Sequence, residues 1–350
     1  MKNDYIRSER TLLGIVTLFY LLFLIYLTIG LHFNMFSADV LNYWKESLKW
    51  KTPFGTWWVP GYPLLIAAVR GITINIVPPI GIMVGISAVA YLIAVSAVYR
   101  LAIRNQFHYP FFLGLMFALF PFVGLTYSVY PVADITAIAL LLLAVYKLEK
   151  RQWVWFVILS GASMIVHKVM WFFVPPIMLV SFVKNKESRI LLPYTFLPLL
   201  IWIGIGAIYH NDIIWFMRWS YEHLFVPKSS MPIFDGIITP LLSNSTARIG
   251  KGMLVVIVMV LTLFFAHYSF RYKQWIGVCI ALSLLAMIMF VNSYEIWVVV
   301  RYSKLLIIPL LFVDTRFINL QSKNFIRLVA LLILATCLVS NLAFGFYQGL

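Results

Sequence analysis

The spacing of its charges constrains this chain more than any other feature. Run after run of roughly 17 to 25 residues passes with almost no ionisable side chain, and a helix of that length crosses the hydrocarbon of a bilayer. The charged residues make up 11% of the sequence against 63% hydrophobic, about half the share a soluble domain carries. Aromatic residues reach 17%, many of them at the ends of the apolar runs, where amphipathic rings favour the membrane interface. The expected fold is all-α: a polytopic transmembrane helical bundle.

A net charge of +15 would fit a nucleic-acid partner if the cations were spread over one face. They fall instead in short clusters between apolar runs: Lys2, Arg7 and Arg10; Arg100 and Arg104; Lys147, Lys150 and Arg151; Lys184, Lys186 and Arg189; Arg271 and Lys273; Arg316, Lys323 and Arg327. Such clusters set orientation by the positive-inside rule and lie near anionic headgroups, so the partner is a bilayer and not nucleic acid. The two cysteines, Cys279 and Cys337, both lie in apolar runs, which leaves no disulfide framework and no metal-ligand spacing. The first apolar run, residues 11–31, exceeds a signal-peptide core and lacks a small-residue cleavage site, so it reads as an uncleaved helix.

With the basic clusters inside, the chain zigzags through about eleven spans. They fall at 11–31, 80–100, 109–125, 132–147, 153–167, 170–183, 190–209, 253–270, 275–291, 305–313 and 325–346, all within one integral membrane domain. Two long external segments interrupt the series, 32–79 and 210–251. The first does not have the composition of a slack loop. Ser37 is placed to cap a helix to about Trp50, with Val40, Trp44 and Leu48 as its apolar side. Asp39, Tyr43 and Glu46 stand at i, i+4 and i+7, on one face. After the Pro60-Gly61-Tyr62-Pro63 turn a second amphipathic stretch runs over 62–76, and both read as helices lying in the outer interface.

These elements resemble the GT-C superfamily of membrane glycosyltransferases that use polyprenyl-phosphate sugars. The chain is similar to the mannosyltransferases that add the second mannose of GPI anchors, and to their bacterial relatives. The likeness rests on Asp39 in the first external loop, Tyr43 four residues on, and the run Trp57-Trp58-Val59-Pro60-Gly61-Tyr62-Pro63-Leu64-Leu65. A second block follows in Tyr130-Pro131-Val132-Ala133-Asp134, the basic bend from Lys147 to Trp155, and His167-Lys168. Arg301-Tyr302 looks like an Arg-Tyr pair of several members. The chain departs from the family at Asp134, where Glu is usual, and at Lys168, where Arg is usual.

The resemblance implies an inverting, metal-independent hexosyltransferase of the cell envelope, without a cofactor. It would sit in a bacterial cytoplasmic membrane with the N-terminus inside and the active site outside. The donor would be a polyprenyl-phosphate sugar, and the acceptor a hydroxyl on a glycan, a lipid or another molecule. Asp39 would be the base, with Asp134 assisting the acceptor. Lys168 and Arg301 would face the donor phosphate, where cationic donors stabilise growing charge. Tyr43, Trp57, Trp58, Tyr62, His167 and Tyr302 would line the substrate groove.

Each residue also has a plainer role. Asp39 and Asp134 answer the dipole at a helix start, and Glu46 pairs with Lys49 or is solvated. Lys168 and Arg301 snorkel at span ends, while the tryptophans anchor the interface. None of the six histidines shows helical i, i+4 pairing or a carboxylate cluster nearby. Asn244-Ser245-Thr246 matches a glycosylation sequon. Three other function classes remain, one of them a GT-C-like pseudoenzyme or scaffold subunit. A cell-surface polysaccharide polymerase or ligase would use 210–251 as its large loop. A transporter would need mid-depth charges or broken helices, whereas the acids Asp39, Asp134, Asp212, Glu222, Asp235 and Glu295 sit toward the outer face.

Overall fold

The computed structural model describes residues 11–22, 38–48, 59–73, 76–107, 109–119, 133–216, 233–292 and 297–311. Regular structure among these is helical, with no strand. Three helices are long and apolar enough to cross a membrane: Pro79–Arg104, Leu192–His210 and Arg248–Arg271. Among the other expected spans, 11–31, 153–167, 170–183 and 275–291 contain shorter apolar helices: Thr11–Leu22, Trp153–Val166, Met170–Lys184 and Trp275–Phe290. The last expected span, 325–346, lies outside the described residues.

The described chain divides into two compact units, the first ending at Lys168 and the second beginning at Val169. In the first, α1 (Thr11–Leu22) precedes α2 (Ala38–Leu48), α3 (Gly61–Ile72), α4 (Pro79–Arg104), α5 (Pro110–Ala118), α6 (Ala133–Glu149) and α7 (Trp153–Val166). Prolines open α4 and α5, where a missing N–H costs nothing because the first turn has no partner for it. α4 packs on α6 and α6 on α7. Buried alanines (Ala90, Ala94 and Ala97 on α4, Ala137 and Ala144 on α6) let the backbones approach closely, the usual device where lipid supplies no hydrophobic drive between helices. The Tyr91 hydroxyl donates to the Ala118 carbonyl at 2.9 Å, tying α4 to the end of α5.

One end of this unit is basic. α6 turns into α7 through Lys150–Gln152, with Arg151 at a φ of 56° and the Gln152 N–H donating to the Lys147 carbonyl at 2.9 Å. The Arg104 guanidinium, closing α4, donates to the Glu149 carbonyl at 3.2 Å. The Lys150 ammonium lies 4.7 Å from the Tyr146 ring centre, and that of Lys147 5.6 Å from Trp155. Arg100, Arg104, Lys147, Lys150 and Arg151 therefore form a single rim.

The second unit contains α8 (Met170–Lys184), α9 (Leu197–His210), α10 (Asp235–Leu241), α11 (Thr246–Arg271), α12 (Trp275–Phe290), α13 (Trp297–Tyr302) and α14 (Ile307–Leu311). Pro175 and Pro176 sit inside α8, and a proline at 176 leaves the carbonyl of Phe172 without its helical donor. The Ser283 hydroxyl of α12 donates to that carbonyl at 2.7 Å, and the Cys279 thiol to the Pro176 carbonyl at 3.4 Å. A polar residue of one apolar helix thus repairs a break in its neighbour. At the end of α9, Trp215 meets Trp202 edge-on with ring centres 4.9 Å apart and stacks on His210 at 4.7 Å.

The structure corrects or refines four expectations. α4 continues to Arg104, past the expected end at Arg100, because its last turn is held by the Arg104 contact. The helix expected from 253 begins at Thr246, so the second external segment as read from sequence, 210–251, takes in the first turn and a half of α11. On α2, Leu48 is 51% exposed, and the buried side is Val40, Tyr43 and Ser47 together with Glu46 at 8%. Packing against α3 selects that face, and it takes Glu46 out of the solvent where sequence reading had left it. Arg301-Tyr302, expected as an external element, ends α13, which passes into a 3-10 turn, Ser303–Leu306, and then α14.

Candidate functional site

At the end of the first unit opposite the basic rim, polar residues converge. α7 ends at Val166, and His167 adopts an extended backbone (φ −148°, ψ 127°) while its N–H still caps the Ser163 carbonyl. That break turns the imidazole toward the first turn of α6, where Asp134 stands. His167 Nε2 lies 3.9 Å from Asp134 Oδ1. This suffices for an ion pair when the ring is protonated and is too long for a hydrogen bond. Both are enclosed, at 9% and 2% exposure. Asp134 stands in the first turn of α6, at the positive end of the helix dipole.

α3 covers this pair. A Cβ at Gly61 would lie 2.6 Å from the Ile165 carbonyl oxygen and 2.9 Å from the Val166 nitrogen, so only glycine lets α3 reach the last turn of α7. The next residue, Tyr62, is fully buried and feels the charge of Asp134. Ser87 of α4 approaches its hydroxyl outside good hydrogen-bond geometry. Burial chiefly, with Asp134 adding to it, raises the Tyr62 phenol well above its ordinary range. Tyr43 of α2 meets the Tyr62 ring edge-on at 4.9 Å, and Arg70 of α3 lies 5.8 Å from the Trp44 ring centre. Through these contacts α2 is fastened over the pair.

The fold therefore gathers Tyr43, Tyr62, Asp134 and His167. Asp39 belongs to the first turn of α2, one turn before Tyr43, and its side chain lies outside the described residues, as do Trp57 and Trp58 entirely. Lys168 follows the pair at the close of the first unit and is partly exposed. Arg301 and Tyr302 belong to the second unit, Arg301 partly exposed and Tyr302 fully buried, stacked on Phe173 at 6.0 Å.

Sequence reading missed Ser87, a buried hydroxyl beside Tyr62, and Gly61 as the contact point. It also missed Lys304, a fully buried cation of the second unit, which a charge opening an apolar run would have flagged. Among the described residues no three His, Cys, Asp or Glu side chains gather in a metal-binding group. No family model, curated protein or solved structure matches this chain.

Proposed function

We propose that this chain is a multi-pass membrane glycosyltransferase of GT-C type, transferring a sugar from a polyprenyl-phosphate donor to a hydroxyl acceptor on the outer face. The observation that carries the proposal is the convergence of α2 and α3 on the buried Asp134–His167 pair, at the end of the unit opposite its basic rim. If the rim faces the cytoplasm, as basic ends do, the pair and its helical cover face outward.

In this reading the acceptor oxygen attacks the anomeric carbon as the bond to the lipid phosphate breaks. The acceptor proton passes to a carboxylate, and the configuration inverts. Asp39 is the proposed base on the resemblance, standing one turn before Tyr43 on α2. Asp134, held by His167 and the α6 dipole, orients the acceptor. Lys168, which follows the pair in the first unit, is the proposed contact of the departing phosphate, whose charge grows as the bond breaks, and Tyr43, Tyr62, Trp57 and Trp58 would border the groove. Arg301 and Tyr302, of the second unit, keep only the roles that the resemblance implies. A bacterial cytoplasmic membrane is the proposed location.

The test is sugar transfer from a panel of synthetic polyprenyl-phosphate sugars by the purified protein, beside Asp39→Asn and Asp134→Asn. Transfer by the wild type that falls about 10²- to 10⁴-fold in Asp39→Asn, with donor binding kept, supports the assignment. Transfer retained in both variants removes these carboxylates from the chemistry.

A transporter is the second reading, and one observation favours it. The interrupted helix of α13, a 3-10 turn and α14 encloses Lys304 at 1% exposure, and broken helices with enclosed charge mark ion pathways. Uptake into proteoliposomes that is lost in Lys304→Met, with no transfer from any donor, would favour this reading.

A further inference from the structure

The basic rim of the first unit gathers its cations on aromatic rings. Arg100 and Arg104 close α4, while Lys147, Lys150 and Arg151 lie where α6 turns into α7. Five cations meet one acid there, Glu149, and among the described residues none of the five pairs with a carboxylate. Two are held by neutral groups: the Arg104 guanidinium by the Glu149 carbonyl, and the Lys147 ammonium by the Gln152 side-chain oxygen at 2.8 Å. Arg100 and Lys150 are placed otherwise. Both approach the ring of Tyr146, the guanidinium carbon 6.0 Å and the ammonium 4.7 Å from its centre. Two like charges on one ring repel, and the ring leaves their N–H donors unused. An anion reaching both would turn that repulsion into attraction.

The surroundings say what carries the anion. The rim ends α4, a helix long and apolar enough to cross a membrane, so the groups that meet it are lipid headgroups. Directly past the turn, Val154, Trp155 and Ile158 share one face of α7 and are each more than half exposed. The Lys147 ammonium lies 5.6 Å from the Trp155 ring centre, so charge and apolar surface meet within one turn. An amphiphile with a phosphate at the rim and its hydrocarbon along that face matches both. A guanidinium and an ammonium together suit phosphate oxygens, whereas a headgroup ammonium would bring a sixth cation among five. The fit is to a lipid of net negative headgroup.

We infer that Arg100 and Lys150, held on Tyr146, bind the phosphate of one anionic glycerophospholipid whose acyl chains lie along the Val154–Ile158 face of α7. A basic end attracts a membrane diffusely, at any of its cations; this seat is stoichiometric and belongs to two of them. The inference needs only that the protein resides in a bilayer, so it stands or falls independently of sugar transfer.

The test is native mass spectrometry of the full chain, delipidated in detergent and then given 1-palmitoyl-2-oleoyl phosphatidylglycerol or the phosphatidylcholine with the same acyl chains. The wild type is expected to retain one phosphatidylglycerol per chain and to prefer it roughly tenfold, the effect of one hydrogen bond to a charged group. Arg100→Gln combined with Lys150→Gln is expected to erase the preference. Lys150→Gln alone, at an exposed position, is expected to weaken it roughly threefold and leave the thermal melting temperature unchanged. Arg271→Gln with Lys273→Gln removes the same charge from exposed positions of the second unit and is expected to keep the preference. Equal loss in the two double variants, or equal retention of both lipids by the wild type, would overturn the inference and leave only diffuse attraction. Displacement of the lipid by inorganic phosphate at equal concentration would overturn it too, by making the rim a site for free phosphate.

Discussion

At the residue scale, Tyr62 separates structure from chemistry. Its hydroxyl is buried beside Ser87 without good hydrogen-bond geometry, so Tyr62→Phe removes little that holds the fold together. The variant is expected to melt within about 0.5 kcal/mol of the wild type, or slightly higher, because an unmet hydroxyl costs free energy that phenylalanine does not. If the hydroxyl contacts substrate, transfer falls while the melting temperature stays put. Asp134→Asn keeps the shape and removes the charge facing His167. Its expected signature is a rise in KM for the acceptor larger than the loss in kcat, measured in the transfer assay against several acceptor concentrations. His167 shows the limit of reading residues along a line. Its partner stands 33 positions earlier, and only the antiparallel return of α7 on α6 brings the two within 3.9 Å. Asp134, by contrast, was legible as a helix-opening acid, and Tyr43 as a partner on the face of α2 that the structure buries.

At the element scale, α3 depends on its first residue. Gly61→Ala is expected to cost about 1 to 3 kcal/mol by forcing α3 away from α7, because the clash is with backbone and no rotamer relieves it. A lowered melting temperature measures the cost, and loss of Tyr62 from the site would appear as reduced transfer. Gly71, on the same helix with nothing within 4 Å of a Cβ, is the control: Gly71→Ala is expected to be neutral or stabilising. Most helices were legible from sequence because apolar runs and proline starts are local signals, as for α4, α7 and α12. The faces were less so. α2 was expected to bury Leu48, yet its partner α3 lies against Tyr43 and Ser47, and nothing within eleven residues of α2 says on which side a partner will lie. The break after Tyr302 was illegible for a related reason: Arg-Tyr followed by an apolar run reads as an external element and then a span, while the structure ends one helix at Tyr302 and starts another at Ile307 after a 3-10 turn.

At the scale of the whole molecule, the basic clusters make orientation measurable. With Cys279 and Cys337 replaced by serine, Gln152→Cys reports the exposed turn of the basic rim and Asn244→Cys the exposed approach to α11. A membrane-impermeant maleimide is expected to label Asn244→Cys in intact cells and Gln152→Cys only after lysis. The reverse pattern would place the Asp134–His167 end in the cytoplasm and remove the external site. The close approach at Gly61 also carries an evolutionary consequence. The atoms it must avoid are the carbonyl of Ile165 and the nitrogen of Val166, which every amino acid but proline supplies alike. Diverged copies of this chain should therefore drift freely among apolar residues at 165 and 166 while 61 stays glycine, a pairwise contact that leaves no trace of covariation.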